Sequence, residues 1–169
     1  MAISGALPFT PSHIEGGGTP NVRSYVVKSG EDFVRGAPLT INSGEVDELD
    51  TDDVTLIVGV AGAADASAYG YDMADSPAPV TGRANTVPVW TANRDTVFYG
   101  QLSNGTTALV APDAANVGTS YGLIRQPDSR WTVDEADTTN DVVTVIGFDL
   151  TQNSPGRVYF KFLNSTLYA

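Results

Sequence analysis

The chain has no cysteine and one histidine, His13, and each scarcity removes a class of function. Without cysteine there are no disulfides, no thiolate nucleophile and no cysteine-ligated zinc, so stability must come from packing or association. Hydrolysis and group transfer usually draw on a base that titrates near neutrality, most often histidine. His13 lies in a Gly/Pro-rich stretch outside any expected core, so a Ser-His-Asp triad built on it is not expected. No apolar run approaches the roughly 18 residues of a membrane helix, and the start, MAISGALPFTPSHIEGGG, has neither the basic segment nor the apolar core of a secretory leader. The expectation is a protein made and kept in the cytosol, without a membrane partner. Basic residues are few as well: 9 Lys and Arg stand against 20 Asp and Glu, for a net charge of -11. Such a field repels phosphate backbones and counts against non-specific nucleic-acid binding.

What is present is glycine, proline and short apolar runs. The 169 residues suffice for one domain with a real core. Residues 1–21 contain Pro8, Pro11, Pro20 and Gly16-Gly17-Gly18, with apolar residues only singly at Ile3, Leu7, Phe9 and Ile14. This composition neither nucleates a helix nor forms its own core, so it reads as an extended arm whose apolar residues touch another molecule. Residues 22–169 read as a single β-domain.

Strand signals recur through that domain. VRSYVVK at 22–28 is followed by a segment from Gly36-Ala37-Pro38 through Leu39 and Ile41, broken at Asn42-Ser43-Gly44, and by an apolar run over 54–60. Further strands are expected in VPVW from Val87, TVFYGQL at 96–102, SYGLIR at 120–125, RWTV at 130–133, VVTVIGFDL at 142–150 and RVYFKFL at 157–163. Asn104-Gly105 between two such runs predicts a hairpin with a two-residue type I′ turn. In the last strand Val158, Phe160 and Phe162 share one face, which predicts that they are core. Turn residues between strands and scarcely any 3.6-residue period predict an all-β fold, a compact β-barrel or sandwich with an extended N-terminal arm.

Four constellations invite a chemical reading. The block Glu45, Asp47, Glu48, Asp50, Asp52, Asp53 suggests calcium, but an EF-hand register puts Asp53 at the turn glycine and Gly59 at the bidentate glutamate, so an acidic surface loop is expected instead. Gly59-Val60-Ala61-Gly62 lacks the amphipathic helix that a dinucleotide fingerprint opens, since the residues that follow have little 3.6-residue period and run into Pro77 and Pro79. Asp134, Glu135 and Asp137 are formal candidates for a glycosidase carboxylate pair, yet they sit where turn acids sit in any β-protein. Arginines dominate the sparse basic set, and Arg23, Arg94 beside Asp95, and Arg130 beside Trp131 are expected interface anchors. No catalytic residue, cofactor or metal ligand emerges.

GEDFVRGAPLTINSGEVDE followed by VTLIVGVAGAA, and NVGTSYGLIRQPDSRWTVDEADTTNDVVTVIGFDL followed by PGRVYFKFL, are similar to the core of tailed-phage capsid decoration, or cement, proteins. Gly36, Pro38 and Leu39, then Val58 to Ala61, match the first part of that family's pattern. Tyr121-Gly122, Trp131, Val145, Phe148-Asp149, Gly156-Arg157-Val158 and Phe160 match its close. The similarity covers roughly 25–163 and departs at 65–86. The resemblance implies a non-enzymatic protein on the outer surface of the virion, made in the host cytoplasm. Its partners would be the major capsid protein and further copies of itself, a trimer favoured over a dimer. The runner-up expectation is a glycan-binding or glycan-cleaving β-domain of a phage tail or spike, with Trp131 and the neighbouring acids lining a groove.

Overall fold

The structure is a computed structural model that describes residues 6–31, 33–50, 56–63 and 86–168. These residues form thirteen strands and no helix: β1 Thr10–Ile14, β2 Val22–Val27, β3 Pro38–Asn42, β4 Glu45–Glu48, β5 Ile57–Ala61, β6 Thr86–Thr91, β7 Thr96–Gly100, β8 Leu102–Asn104, β9 Ala108–Val110, β10 Ser120–Arg125, β11 Trp131–Asp134, β12 Val143–Asp149 and β13 Arg157–Phe162. The all-β expectation therefore holds. Barrel and sheet occur together: β2-β4-β3-β5-β6 close into a barrel, and β1-β7-β13-β12-β10-β11-β8-β9 form an eight-stranded sheet. One continuous apolar core joins them, from Val46, Ile57 and Val89 in the barrel to Phe98, Val145 and Phe160 in the sheet.

Local sequence explains most of these strands. Val158, Phe160 and Phe162 on β13 are 0%, 0% and 3% exposed, as the alternation requires, and pair with Gly100, Phe98 and Val145 or Val143 of the flanking strands. Every residue of β5 is buried, in keeping with its unbroken apolar run. The β3–β4 hairpin has a two-residue loop, Ser43-Gly44, in which both residues take positive φ (54° and 89°), as a primed turn demands. This corrects the acidic-loop reading of residues 45–48. Val46 faces inward while Glu45, Asp47 and Glu48 lie outside or at the margin, which is ordinary strand alternation in an acidic sequence. Asp52 and Asp53 lie outside the described residues.

The expected hairpin at Asn104-Gly105 forms, but its loop is the three residues 105–107, and only Gly105 takes positive φ, at 57°. Tertiary contacts set that loop: the Asp134 carboxylate accepts from Gly105 N at 2.8 Å, and Gln126 Nε2 donates to Gly105 O at 3.2 Å.

The boundary between arm and domain moves. Residues 6–14 lie within the fold: β1 pairs antiparallel with β7, Thr10 opposite Tyr99 and Ile14 opposite Thr96. Phe9 is fully buried, with its ring edge-on to Phe160 at a centroid distance of 4.9 Å. Two glycines make the space. A Cβ on Gly100 would lie 2.5 Å from Phe9 Cε1, and one on Gly36 would lie 2.6 Å from Phe9 N. Pro11 is tolerated because β1 is an edge strand with a register shift after it. Removing residues 1–21 would thus take a strand and a core phenylalanine with it rather than leave an intact body.

The chain crosses between the two modules three times. Residues 6–14 join the sheet, strands β2 to β6 build the barrel, and strands β7 to β13 complete the sheet. Residues 166–168 then return to the barrel. Ile57 N donates to Thr166 O at 2.8 Å, Tyr168 N donates to Ile57 O at 2.9 Å, and Leu167 bridges Ile57. Each module is strapped by a segment from beyond the other.

Candidate functional site at the barrel–sheet junction

Where barrel and sheet meet, a carboxylate is held by groups from the opposite module. Glu48 closes β4; its Oε1 accepts from Trp131 Nε1 on β11 at 2.7 Å, and Arg125 Nε at the end of β10 lies 3.1 Å from each carboxylate oxygen. The strands dictate this meeting. The turn 126–129 folds β11 back so that Arg125 and Trp131 are register partners, and both therefore reach the barrel together. Glu31 joins from the barrel side, its Oε2 accepting from Glu48 N at 3.1 Å.

Burial pushes the Glu48 carboxyl above its ordinary range. The indole N–H and the Arg125 guanidinium pull the other way, and nearby Glu31 adds to the rise. Beside it, Asp47 accepts from Lys28 Nζ at 2.8 Å and Thr40 Oγ1 at 2.7 Å, and this contact raises the Lys28 ammonium. Thr40, Ile41, Asn42, Asp47, Glu48, Asp50 and Leu56 line an open pocket of about 300 Å³. Among the described residues no three His, Asp or Glu side chains are arranged to hold a metal ion. The chemistry of this junction is that of a clasp: donors from one module satisfy a desolvated carboxylate of the other.

The residues expected at an interface separate into three groups. Phe9 and Trp131 are 0% and 2% exposed, so both are corrected from surface anchors to internal ones. The physical reason is the same for each: a large ring finds a socket within its own chain. Arg130, expected to face a partner, is half-buried and donates through Nη1 to Ala6 O, holding the strap. Leu7 and Ile14 are half-buried beside β7, Leu7 N donating to Gln101 Oε1 at 2.9 Å. Arg23 and Arg94 do lie on the open surface; the Arg94 side chain is 77% exposed and pairs only loosely, at 3.5 Å, with Asp95. Ile3 lies outside the described residues, as does most of the 65–86 stretch.

Sequence reasoning missed a surface cluster next to Arg23. Val22 is 55% exposed, its register partner is Trp90, and the Arg35 guanidinium lies 5.1 Å over the Trp90 ring. An arginine stacked on a half-exposed tryptophan beside an exposed valine has the composition of an interface centre. The cue in the sequence was that Trp90 shares its strand phase with Thr86 and Pro88, opposite to Val87 and Val89.

The remaining constellations are structural. Asp134 is 6% exposed and accepts from Gly105 N and Ala136 N at 2.8 and 3.0 Å. Burial alone would raise Asp137, but hydrogen bonds from the Asn140 and Thr139 amides and the Asn140 side chain outweigh it and hold the carboxyl low. These acids cap their own turns, and Trp131 points away from them to Glu48. Gly59 sits where β5 crosses β6; a Cβ there would strike the Trp90 carbonyl, so the glycine serves close packing of strands. No family model matches this sequence, and no curated protein or solved structure matches it either.

Proposed function

We propose that this chain is a capsid decoration protein, a non-enzymatic component of the virion. It binds the outer surface of a phage head, bridges adjacent major capsid protein subunits and stabilises the mature shell, with further copies of itself as partners, a trimer favoured over a dimer. The observation that carries this reading is the reciprocal strapping. A bridge on a pressurised shell is pulled at its contacts, and a body in which residues 6–14 are paired into the sheet and Leu167 into the barrel resists being drawn apart into modules. The clasp of Glu48 with Trp131 and Arg125 adds to that resistance. The Val22, Arg35 and Trp90 surface supplies an attachment face, and many copies on one shell give avidity without any single strong contact. The glycan reading loses ground because Trp131 and Asp134 are committed internally. Cryo-electron microscopy of heads with and without the protein tests the proposal. Density on the outer face between capsid subunits, with a higher rupture temperature for decorated heads, is expected; heads unchanged in both respects overturn it.

A further inference from the structure

The strap formed by residues 6–14 is held by contacts that a second copy offers equally well. Its socket consists of the β7 edge, Phe160, Gly36, Gly100, the Gln101 amide and the Arg130 guanidinium. The linker that follows, Glu15 to Asn21, is exposed at every position except Pro20. Gly17 N donates to Ile14 O, and Glu15 N to Asp95 O, so the chain reverses on leaving β1. The reversal passes through Gly16, Gly17 and Gly18 at φ of 87°, 95° and 118°, with open space or only Ile14 Cδ1 at 3.9 Å where each Cβ would be. No crowding demands glycine there. The backbone turn that returns β1 to its own sheet does demand it. An outstretched linker would need no positive φ, and its seven residues would span roughly 23 Å.

We propose that β1 exchanges between copies: residues 6–14 of one copy pair with β7 and fill the Phe9 socket of a second, with residues 15–21 crossing between them. The exchanged contacts are the same as the closed ones, so the joint adds no unmet polar group, and it links copies through the strap itself. Exchange is a property of the chain in solution and does not rest on the capsid reading.

The absence of cysteine makes the test direct. Thr10 and Tyr99 are register partners, so chains bearing Thr10→Cys alone and Tyr99→Cys alone are mixed, concentrated and oxidised. Covalent heterodimers are expected in the oligomeric fraction, at least about fivefold above Thr10→Cys chains treated alone. Replacing Gly16, Gly17 and Gly18 by alanine penalises only the closed turn, and should raise the ratio of oligomer to monomer about tenfold or more. A chain carrying both cysteines, oxidised first at high dilution, is locked closed and should remain monomeric. Oligomers that lack the heterodimer crosslink, or a locked chain that oligomerises as the unlocked one does, overturn the proposal. Persistence as a monomer in the alanine variant does so too.

Discussion

Truncating Phe9 to alanine is the sharpest probe of whether residues 6–14 belong to the body. The ring is fully buried, and its transfer from water contributes about 1.5–3 kcal/mol. The edge-to-face contact with Phe160 at 4.9 Å adds about 0.5–1.5 kcal/mol. The cavity left behind raises the loss further, since Phe→Ala changes in cores cost about 3–5 kcal/mol. Gly36 and Gly100 have no side chains that could lean into the gap, which places the expected loss near the middle or top of that range, about 4 kcal/mol. Urea denaturation followed by tryptophan fluorescence should show the midpoint lower by about 2 M. Phe9→Leu, which keeps most of the volume, should lose less than half as much. Proteolysis within residues 15–21 should accelerate in the alanine variant, because β1 detaches more readily. A loss under about 1 kcal/mol would mean that Phe9 is peripheral, and the strapping account would fall with it.

Two further outcomes follow from the junction and the turn acids. Glu48 has a folded carboxyl raised above its ordinary value of 4.5, burial being the main cause, so its protonated form favours the fold. Its contribution to stability is therefore greatest at acid pH and declines as pH rises from the unfolded value through the folded one, then stays level. Asp137 and Asp149 are held below their ordinary 3.8, so their contributions are present above that value and lost as pH falls below it. The stability of the wild type minus that of Glu48→Gln should accordingly fall as pH rises from 4.5, and a difference that does not vary with pH would contradict the buried clasp. Asp134→Ala leaves the Gly105 and Ala136 amides without their acceptor and should cost about 1–3 kcal/mol. Hydrogen exchange at Gly105 should speed up, and an unchanged rate would remove Asp134 from control of the 105–107 loop.

The β10 to β13 strands, the inward face of Val158, Phe160 and Phe162, and the all-β class were legible because they are written in period and turn residues over a few positions. Three other features were not. β1 was hidden because its one core residue, Phe9, stands among prolines, and the glycines that admit it lie far along the chain at Gly36 and Gly100. β4 was hidden because its acidic residues outweigh the single inward Val46. The primed turn fell at Ser43-Gly44 and not at Asn104-Gly105 because Asp134 and Gln126 dictate the latter loop from outside it. The clasp was partly visible: Trp131 and Glu48 each drew attention, one as an interface anchor and one as a failed calcium ligand. Their meeting across 83 residues is a fact of strand pairing that local pattern does not encode. Hydrophobic period records which side of a strand is dry, not which other strand makes it so.

The reciprocal straps also impose an order in time. Leu7 waits for Gln101, 94 residues later, and Ala6 waits for Arg130, 124 residues later. Ile57 cannot receive its last partners until residues 166–168 have been made. Loop-closure entropy must be met before these contacts repay it, so the chain belongs among slow folders. During synthesis the barrel emerges first yet remains unfinished until residues 166–168 arrive, and β1 remains without its neighbour until β7 follows the barrel. Neither module has a moment at which it is complete while the other is absent, and the molecule becomes whole in one late step.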